Sequence, residues 1–371
     1  MKRFKIIHTI RQGKIGGGET HVLSLVKYLD PEKFDSAVLA FTDGELISTL
    51  NNLQVKNNII HTTKPFDFRV WRQVLAYFKA QKPDLIHAHG TRACSNSLWA
   101  ARKLGVPIIY TIHGWSFHEA NGKLVNALRI YSEKYLTEKV DLNINVSNSD
   151  KKIGERAFKL TNAAVIENGV DLNFFNPDLN FNSIRKQFGI PERAVLIGHL
   201  ARMTVQKDPF TLLEAAKLLL DSGRSFYFIF VGGGDLKSEL VKRTYDFKIE
   251  KFVKFSDFAT DVRPFLQSID IFCLPSLWEG LPIGMLEALA MKKYVVASDL
   301  DVHKDMQNRN MEMIDLFSVR SVPALADALI LASGKLQRKS DYGKMDNIDI
   351  LPKIKVLEKY YHDLLKAEAY D

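Results

Sequence analysis

This sequence of 371 residues has few of the features that are typical of disulfide-bonded, metal-binding, membrane-spanning or secreted proteins. Its two cysteines, Cys94 and Cys273, lie far apart in no metal or redox pattern, which is typical of a reducing compartment. No apolar run approaches the roughly 18 residues of a membrane-spanning helix. No small-residue cleavage site follows the basic N-terminus, so we expect no signal peptide. These absences favour a globular cytoplasmic protein.

The positive charge is concentrated in one half of the chain. Residues 1–175 contain 24 Lys and Arg and 16 Asp and Glu, a net of +8, whereas residues 176–371 contain 27 of each. A basic half suggests an anionic partner, such as an acidic lipid surface or a phosphorylated acceptor, although it can also be a solvated face. No zinc-finger, RNA-recognition or basic-helix pattern is present, so we do not expect nucleic-acid binding.

Short runs of β-branched and aromatic residues alternate with amphipathic stretches along the chain. Runs that are apolar throughout, such as SFYFIFVG, are typical of strands covered on both faces by helices. The pattern predicts parallel sheets. Strands are predicted near 4–9, 36–41, 57–61, 84–88, 107–112, 142–146, 163–166, 194–200, 226–231, 252–255, 270–274, 294–298 and 312–316. Helices are predicted near 19–29, 70–81, 94–104, 122–138, 209–221, 235–246 and 284–292.

The pattern restarts after a segment rich in Asn, Pro and Gly near residue 175. We therefore expect an α/β protein with two Rossmann-like, doubly wound domains, residues 1–175 and 176–371, facing each other across a cleft. Ligands of such sheets bind at the carboxyl ends of the strands. The last 20 residues predict a helix that can pack on either domain, including the N-terminal one.

Glycines separate the first predicted strand from the first helix. Gly16, Gly17 and Gly18 let the backbone approach a ligand, and a helix N-terminus offers N–H groups to an anion. The spacing is not GxGxxG, so no nicotinamide site is predicted. The alternative is a tight strand-to-helix turn.

Three histidines lie at strand ends, in the sequences HAHG and TIHG. His87 and His89 point to the same side of one strand, but no Cys or carboxylate pattern accompanies them and we predict no metal site. His113 precedes a glycine and is interpreted as a hydrogen-bonding residue of the cleft, with a structural histidine as the alternative.

Two cations, Arg202 and Lys207, follow the predicted strand 194–200 and precede a helix. Arg binds phosphate oxygens through paired hydrogen bonds, and Lys adds a compact charge. The pair therefore predicts a phosphate site. The later FVGGGD is another strand followed by a glycine turn, which either lets a ligand approach or serves only as a turn.

Two carboxylates flank a predicted helix start in LPSLWEGLPIGMLEALA. Gly280 and Pro282 are helix-start signals, so Glu279 lies in the loop and Glu287 about one turn into the helix. The helix N-terminus between them favours a diphosphate, and carboxylates accept hydrogen bonds from the hydroxyls of a ribose or a hexose. The alternative is an acidic residue before a helix and a buried, paired Glu.

Together these motifs make the chain resemble the GT4 family of retaining glycosyltransferases, which have the GT-B fold. The matches occur in the family's order: GGGE at 16–19, TIHG at 111–114, ENGVD at 167–171, Arg202 with Lys207, and Glu279 with Glu287. The resemblance implies a metal-independent reaction that retains the anomeric configuration. It also implies a nucleotide-sugar donor, with a UDP-sugar expected, and a leaving phosphate that accepts the acceptor's proton.

The resemblance assigns roles to individual residues. His113 and Glu279 would contact the transferred sugar as catalytic residues. Glu287 would bind the ribose, and residues near Phe255–Phe258 would flank the base. The expected donor-binding residues are Gly16, Gly17, Arg202, Lys207, Gly280, Leu281 and Glu287.

Some segments depart from the family. Many relatives have Pro-Glu where this chain reads SDLDVHKDM, and QNRNMEMIDLF replaces an acidic-glycine segment. Asp299 and Asp301 form a DxD pattern, which is common by chance, and we do not interpret it as a metal site.

We predict a glycosyltransferase that uses a lipid-linked or cell-surface polysaccharide acceptor. The basic half, where the family binds acceptors, predicts peripheral contact with anionic membrane at the inner face of the cell membrane. One alternative is another sugar-nucleotide enzyme of the same fold, an epimerase or an inverting transferase. Another is a non-catalytic subunit of a polysaccharide assembly complex.

Overall fold

A computed structural model describes residues 3–11, 16–118, 121–257, 261–309, 312–336 and 345–367. The chain divides into two compact units: unit 1 comprises Met1–Gly169 and Ile350–Asp371, and unit 2 comprises Val170–Asp349. The chain passes from unit 1 to unit 2 at Gly169 and Val170, a few residues before the domain boundary that the sequence predicts near residue 175. Val170 and Asp349, the first and last residues of unit 2, form a parallel β-bridge and therefore lie side by side.

Unit 1 contains a parallel sheet in the order β3-β2-β1-β4-β5-β6-β7. Its central strands β4 and β5 are buried along their whole length, as expected for strands covered on both faces. The strands are β1 (Phe4–Ile10), β2 (Phe34–Ala40), β3 (Lys56–Ile59), β4 (Leu85–His89), β5 (Ile108–Ile112), β6 (Leu142–Asn145) and β7 (Ala163–Val165).

Helices cover both faces of this sheet. They are α1 (Gly17–Tyr28), α2 (Glu45–Asn52), α3 (Phe68–Gln81), α4 (Thr91–Leu104), α5 (Lys123–Lys139) and α6 (Asn148–Phe158). One apolar cluster includes Phe78 of α3 and Leu98 of α4. Another includes Leu25 of α1 and, from the last helix of the chain, Ile354 and Tyr361. That last helix packs in unit 1 because its apolar face completes this cluster.

Unit 2 contains a second parallel sheet in the order β10-β9-β8-β11-β12-β13. Its strands are β8 (Val195–Leu200), β9 (Phe226–Val231), β10 (Val253–Ser256), β11 (Ile271–Leu274), β12 (Tyr294–Ser298) and β13 (Ile314–Phe317). Its helices are α7 (Pro209–Asp221), α8 (Lys237–Asp246), α9 (Arg263–Ser268), α10 (Ile283–Ala290), α11 (Asp301–Asn308) and α12 (Val322–Lys335), and α13 (Ile350–Ala367) returns to unit 1.

The prediction of parallel α/β sheets is confirmed, and each predicted strand is present to within two residues at either end. Several helices of the structure are not among those predicted from the sequence: α2, α6, α9, α11 and α12. Most are shorter than the stretch over which a helical period can be recognised. Capping residues were available as signals, since the Ser147 hydroxyl accepts from the Asp150 N–H at 3.0 Å and that of Ser321 from the Ala324 N–H at 3.3 Å.

Both cysteines are free and buried, Cys94 in α4 and Cys273 in β11. Of the helices that the structure describes, none is long and apolar enough to cross a membrane.

Candidate functional site

The loops that follow β8 and β11 are joined through an ion pair. Lys207 Nζ contacts Glu279 Oε1, and the Ser276 hydroxyl donates to the same oxygen at 2.6 Å. The Glu279 side chain is 5% exposed and that of Lys207 is 19% exposed. Because β8 and β11 are neighbours in the sheet, their carboxyl ends bring together two residues that are 72 positions apart. The two predicted site residues therefore meet.

Two further hydrogen bonds join the same two loops. The Leu277 N–H donates to the Gln206 carbonyl at 2.8 Å, and Gln206 Nε2 donates to the Trp278 carbonyl at 3.0 Å. These bonds fix the loops on either side of the ion pair. The site is therefore held by one backbone bond and one side-chain bond in addition to the ion pair.

The glycine turn after β9 supports the loop that carries Arg202. The Met203 N–H donates to the Gly233 carbonyl at 2.8 Å, and the Leu236 N–H donates to the Met203 carbonyl at 3.0 Å. Gly234 has φ +146°, and a side chain there would overlap the backbone of Met203. The glycine is required by this close backbone approach. Arg202 is half-buried on the same loop as Lys207.

Helix α10 begins at Ile283, directly after the loop that contains Glu279. Gly280 and Leu281 are buried in that loop. Glu287 lies in the second turn of α10 and is buried, and this burial raises the pKa of its carboxyl from 4.5 to about 7. A carboxyl with that pKa can be protonated or ionised near neutral pH, so it can donate or accept a hydrogen bond with a ligand hydroxyl.

Two buried histidines that no sequence pattern indicated lie beside the ion pair. His199 Nδ1 is 3.0 Å from the Cys273 carbonyl oxygen, and His303 Nδ1 is 2.7 Å from that of Ser298. Burial is the main cause that lowers the pKa of both imidazoles, that of His199 to about 4, and the charges of Lys207 and Glu279 also act on them. Both rings are therefore neutral at pH 7.

The tautomer of each ring follows from its partner. A carbonyl oxygen only accepts, so Nδ1 carries the proton in both His199 and His303, and Nε2 is an acceptor. Both Nε2 atoms are buried without a hydrogen-bond partner in the described part of the chain. The signal in the sequence was weak: His199 lies inside an apolar strand, and His303 lies in the segment SDLDVHKDM, where the chain departs from the family.

Other predicted residues of unit 2 have structural partners. The Phe255 ring stacks on Phe230 at a centroid distance of 5.3 Å, within the apolar core, and Phe258 lies outside the described residues. Asp299 Oδ1 accepts from the Val319 N–H at 3.1 Å, and Asp301 lies in the first turn of α11. The DxD pattern thus coincides with a connection between a strand end and a helix.

In unit 1, the glycine turn and His113 are adjacent. Gly16 precedes α1, and its carbonyl accepts from the Thr20 N–H at 2.9 Å. A side chain at Gly17 would meet open space, whereas one at Gly18 would lie 3.6 Å from the His113 ring. His113 follows β5, so the start of α1 and this imidazole lie side by side at the carboxyl end of the sheet.

His113 belongs to a histidine cluster, which comprises His8, His21, His87, His89 and His113. His89 bridges two of the others, with Nε2 3.4 Å from His8 Nδ1 and Nδ1 3.2 Å from His113 Nε2. Burial is the main cause that lowers the pKa of all five rings, that of His8 to about 3 and that of His21 to about 4. The cluster is therefore uncharged at neutral pH.

Two triads in this cluster have the spacing of metal ligands: His8, His87 and His89, and His21, His89 and His113. His87 already lies 2.6 Å from both the Tyr361 hydroxyl and the Thr111 hydroxyl. Both nitrogens of His89 contact other imidazoles. His87 therefore has a hydrogen-bonding partner on each nitrogen, and the contacts between imidazoles link the other rings into one network.

Both the sequence and the fold of this chain are similar to those of known proteins. The pattern of the family described as Glycosyltransferase Family 4 matches residues 15–174, and that of Glycosyl transferases group 1 matches residues 180–333. The chain is 24% identical over 381 residues to the UDP-Gal:alpha-D-GlcNAc-diphosphoundecaprenol alpha-1,3-galactosyltransferase of Escherichia coli, covering 98% of each chain.

The fold is also similar to solved structures. The crystal structure of Anabaena HepE in complex with UDP and glucose is 18% identical and has a TM-score of 0.81, covering 97% of this chain and 100% of that one. Sucrose-phosphate synthase from Thermosynechococcus elongatus is 17% identical with a TM-score of 0.80, covering 98% and 100%. At such low identity these two structures establish the likeness of the fold.

Proposed function

Because the chain belongs to the group 1 and family 4 glycosyltransferases and has the GT-B fold, we propose that it transfers a sugar from a nucleoside-diphosphate sugar with retention of the anomeric configuration. The observation that carries the proposal is the ion pair between Lys207 and Glu279 at the carboxyl ends of two adjacent strands, next to the start of α10. Strand ends of this kind are where doubly wound sheets bind nucleotides.

We propose that the donor is a UDP-sugar. The curated relative from E. coli is named for UDP-Gal, and HepE was crystallised with UDP and glucose. The diphosphate would lie against Lys207, Arg202 and the first N–H groups of α10. Donor-binding roles for Gly16 and Gly17 are proposed from the family motif alone. These cations and amides can neutralise the leaving group, so we propose that the reaction needs no metal ion.

Glu279 is placed to hold the transferred sugar. The bonds from Lys207 and Ser276 both end on Oε1, so they orient the carboxylate and neither uses Oε2. We propose that Oε2 accepts from a sugar hydroxyl and that Glu287 binds the ribose, with Gly280 and Leu281 lining the donor-binding loop. For His113, a role at the transferred sugar is proposed from the family motif TIHG alone.

In the proposed reaction, the bond between the anomeric carbon and the diphosphate oxygen breaks through an oxocarbenium-like state. The acceptor hydroxyl forms the new bond on the same face, and its proton goes to the leaving phosphate. Lys207 and Arg202 stabilise the negative charge that develops on the diphosphate. The products are the nucleoside diphosphate and a glycoside of unchanged anomeric configuration.

We propose a lipid-linked or cell-surface polysaccharide acceptor, used at the inner face of the cell membrane. The relative from E. coli, which aligns over nearly the whole chain, is named for a diphosphoundecaprenol-linked acceptor. The net charge of +8 in residues 1–175 suits a phosphorylated lipid acceptor and an anionic membrane surface.

A panel of UDP-sugars with a diphosphate-lipid acceptor tests the proposal. Thermal stabilisation first identifies the donor, since a ligand that binds the native state raises the melting temperature. Nuclear magnetic resonance of the product then reports the anomeric configuration, which we expect to match that of the donor. An inverted product would favour an inverting transferase. Release of no nucleoside diphosphate from any donor would favour a non-catalytic subunit.

A further inference from the structure

Helix α5 of unit 1 presents an apolar stripe to its surroundings. Leu124, Leu128, Tyr131 and Tyr135 are between 45% and 75% exposed. They follow one another at intervals of four, three and four residues, so they fall within roughly 60° of one another around the helix axis. An ordered row of exposed apolar side chains is typical of surfaces that bind a partner.

The opposite face of α5 is anchored by a buried acid. Glu133 is fully buried, and its carboxylate accepts from the hydroxyls of Thr91, Ser116 and Tyr110 at 2.7, 2.6 and 2.9 Å. Most amphipathic surface helices turn their apolar face inward and their charged face outward. In α5 the face opposite the stripe is held inward by this buried network and by the core residue Leu136, so the exposure of the stripe is built into the fold of unit 1.

The same part of the chain carries most of the positive charge. Residues 64–139 contain 12 Lys and Arg and 5 Asp and Glu, a net of +7 out of +8 for the whole sequence. On α5 itself, the exposed cations are Lys123, Arg129, Lys134 and Lys139. Four of the five acids are engaged within unit 1. Glu133 is buried, Asp67 pairs with Arg69 at 2.7 Å, Asp84 accepts from the Lys5 N–H at 2.7 Å, and Glu138 lies 3.8 Å from Lys134.

The patch continues onto the start of α3. The Phe66 ring lies 6.3 Å from that of Tyr135, which places the beginning of α3 next to the second half of α5. Phe68, the first residue of α3, is exposed, and the exposed cations Arg69 and Arg72 follow it. We call the four stripe residues together with Phe68 the α5 surface. It combines apolar side chains with a rim of cations.

We propose that the α5 surface docks on an anionic lipid bilayer, with the stripe in the interfacial region and the cations at the headgroups. This inference rests on the proposed function, because it names the membrane that would hold the lipid-linked acceptor. Leucine and tyrosine on one face with Lys and Arg beside them is the composition of helices that lie in a membrane interface. Tyrosine suits that depth because its ring is apolar and its hydroxyl is polar.

Vesicle sedimentation tests the docking. The wild-type chain should bind vesicles of phosphatidylcholine mixed with phosphatidylglycerol and should bind phosphatidylcholine alone much more weakly. The double variant Leu128→Gln/Tyr131→Gln should lose about tenfold in vesicle partitioning, since binding scales with the apolar area buried. The matched control is Tyr245→Gln/Leu331→Gln in unit 2, whose side chains are 63% and 64% exposed, and its partitioning should stay as in the wild type.

Three results would overturn the docking proposal: equal partitioning of the stripe variant and wild type, equal loss in the control, or equal binding to neutral and anionic vesicles.

Light scattering tests the alternative occupant. A wild-type dimer that the stripe variant converts to a monomer would mean that a second copy of the chain covers the α5 surface, and it would overturn the docking proposal. Thermal stabilisation by nucleotide sugars and transfer to a water-soluble acceptor are measured without vesicles. If neither stabilisation nor transfer is observed while vesicle binding is intact, the proposed function is rejected and the membrane docking of the α5 surface is supported.

Discussion

Lys207 and Glu279 form an ion pair between the loops that follow two adjacent parallel strands, and a serine hydroxyl donates to the same carboxylate oxygen. The pair couples the residue proposed to bind the diphosphate to the residue proposed to bind the sugar. Loading the site with a donor would then give Lys207 a second anionic partner while Glu279 keeps its orientation through Ser276.

Replacing Lys207 by Gln should weaken nucleotide binding. Without the ammonium, the diphosphate loses a charge-assisted hydrogen bond, and we expect the dissociation constant of UDP to rise about tenfold or more. Isothermal titration calorimetry measures it. Lys217→Gln is the control, because Lys217 forms a surface ion pair with Asp221 on α7. Unchanged UDP affinity in Lys207→Gln would contradict the assignment of Lys207.

The buried carboxyl of Glu287 should make stability depend on pH. Burial raises its pKa from 4.5 to about 7, so the native state holds a proton that the unfolded chain releases between these values. The contribution of Glu287 to the unfolding free energy is therefore full below pH 4.5 and is lost as the pH rises through 7. Relative to Glu287→Gln, the wild type should lose about 3 kcal/mol of unfolding free energy between pH 4.5 and pH 8.

Denaturant melts of both proteins at a series of pH values measure this difference. The Gln variant has no carboxyl at this position, so it subtracts the contributions of all other groups. A difference that stays constant across the series would show that Glu287 titrates normally.

Gly234→Ala should destabilise unit 2. Alanine is strained at φ +146°, and its methyl group would overlap the backbone of Met203, so the free energy of unfolding should fall by about 2 kcal/mol or more. Gly233→Ala is the matched control: its methyl group would meet open space, and we expect a change within about 0.5 kcal/mol. Equal effects of the two changes in thermal denaturation would show that the turn does not depend on close backbone approach.

Tyr361→Phe should loosen the attachment of α13. The Tyr361 hydroxyl lies 2.6 Å from His87 Nδ1, and both residues are fully buried. Removing the hydroxyl leaves a buried imidazole nitrogen without its partner, which costs about 1–3 kcal/mol of unfolding free energy. Tyr360→Phe, at a partly buried position next to it, should change the unfolding free energy much less. Urea melts of the two variants distinguish a hydrogen-bonded anchor from simple packing.

The sequence predicts the strands well because those buried on both faces are apolar throughout, as β9 is. It also identifies Lys207 and Glu279 singly, since each follows a strand. Their contact requires the strand order, because β8 and β11 are neighbours in the sheet although β9 and β10 lie between them in sequence. His199 and His303 could not be recognised as neighbours of the ion pair, because a buried histidine inside a strand or helix gives no pattern of its own.

We propose that Glu279 holds the transferred sugar of the donor. Turnover of the donor found in the UDP-sugar screen, compared between Glu279→Gln and Glu214→Gln, tests this role. Glu214 is an ion-paired glutamate outside the site, 3.2 Å from Arg243. We expect Glu279→Gln to lose roughly a hundredfold in kcat, about 3 kcal/mol, while Glu214→Gln keeps wild-type turnover. A folded Glu279→Gln protein with wild-type turnover would contradict the claim.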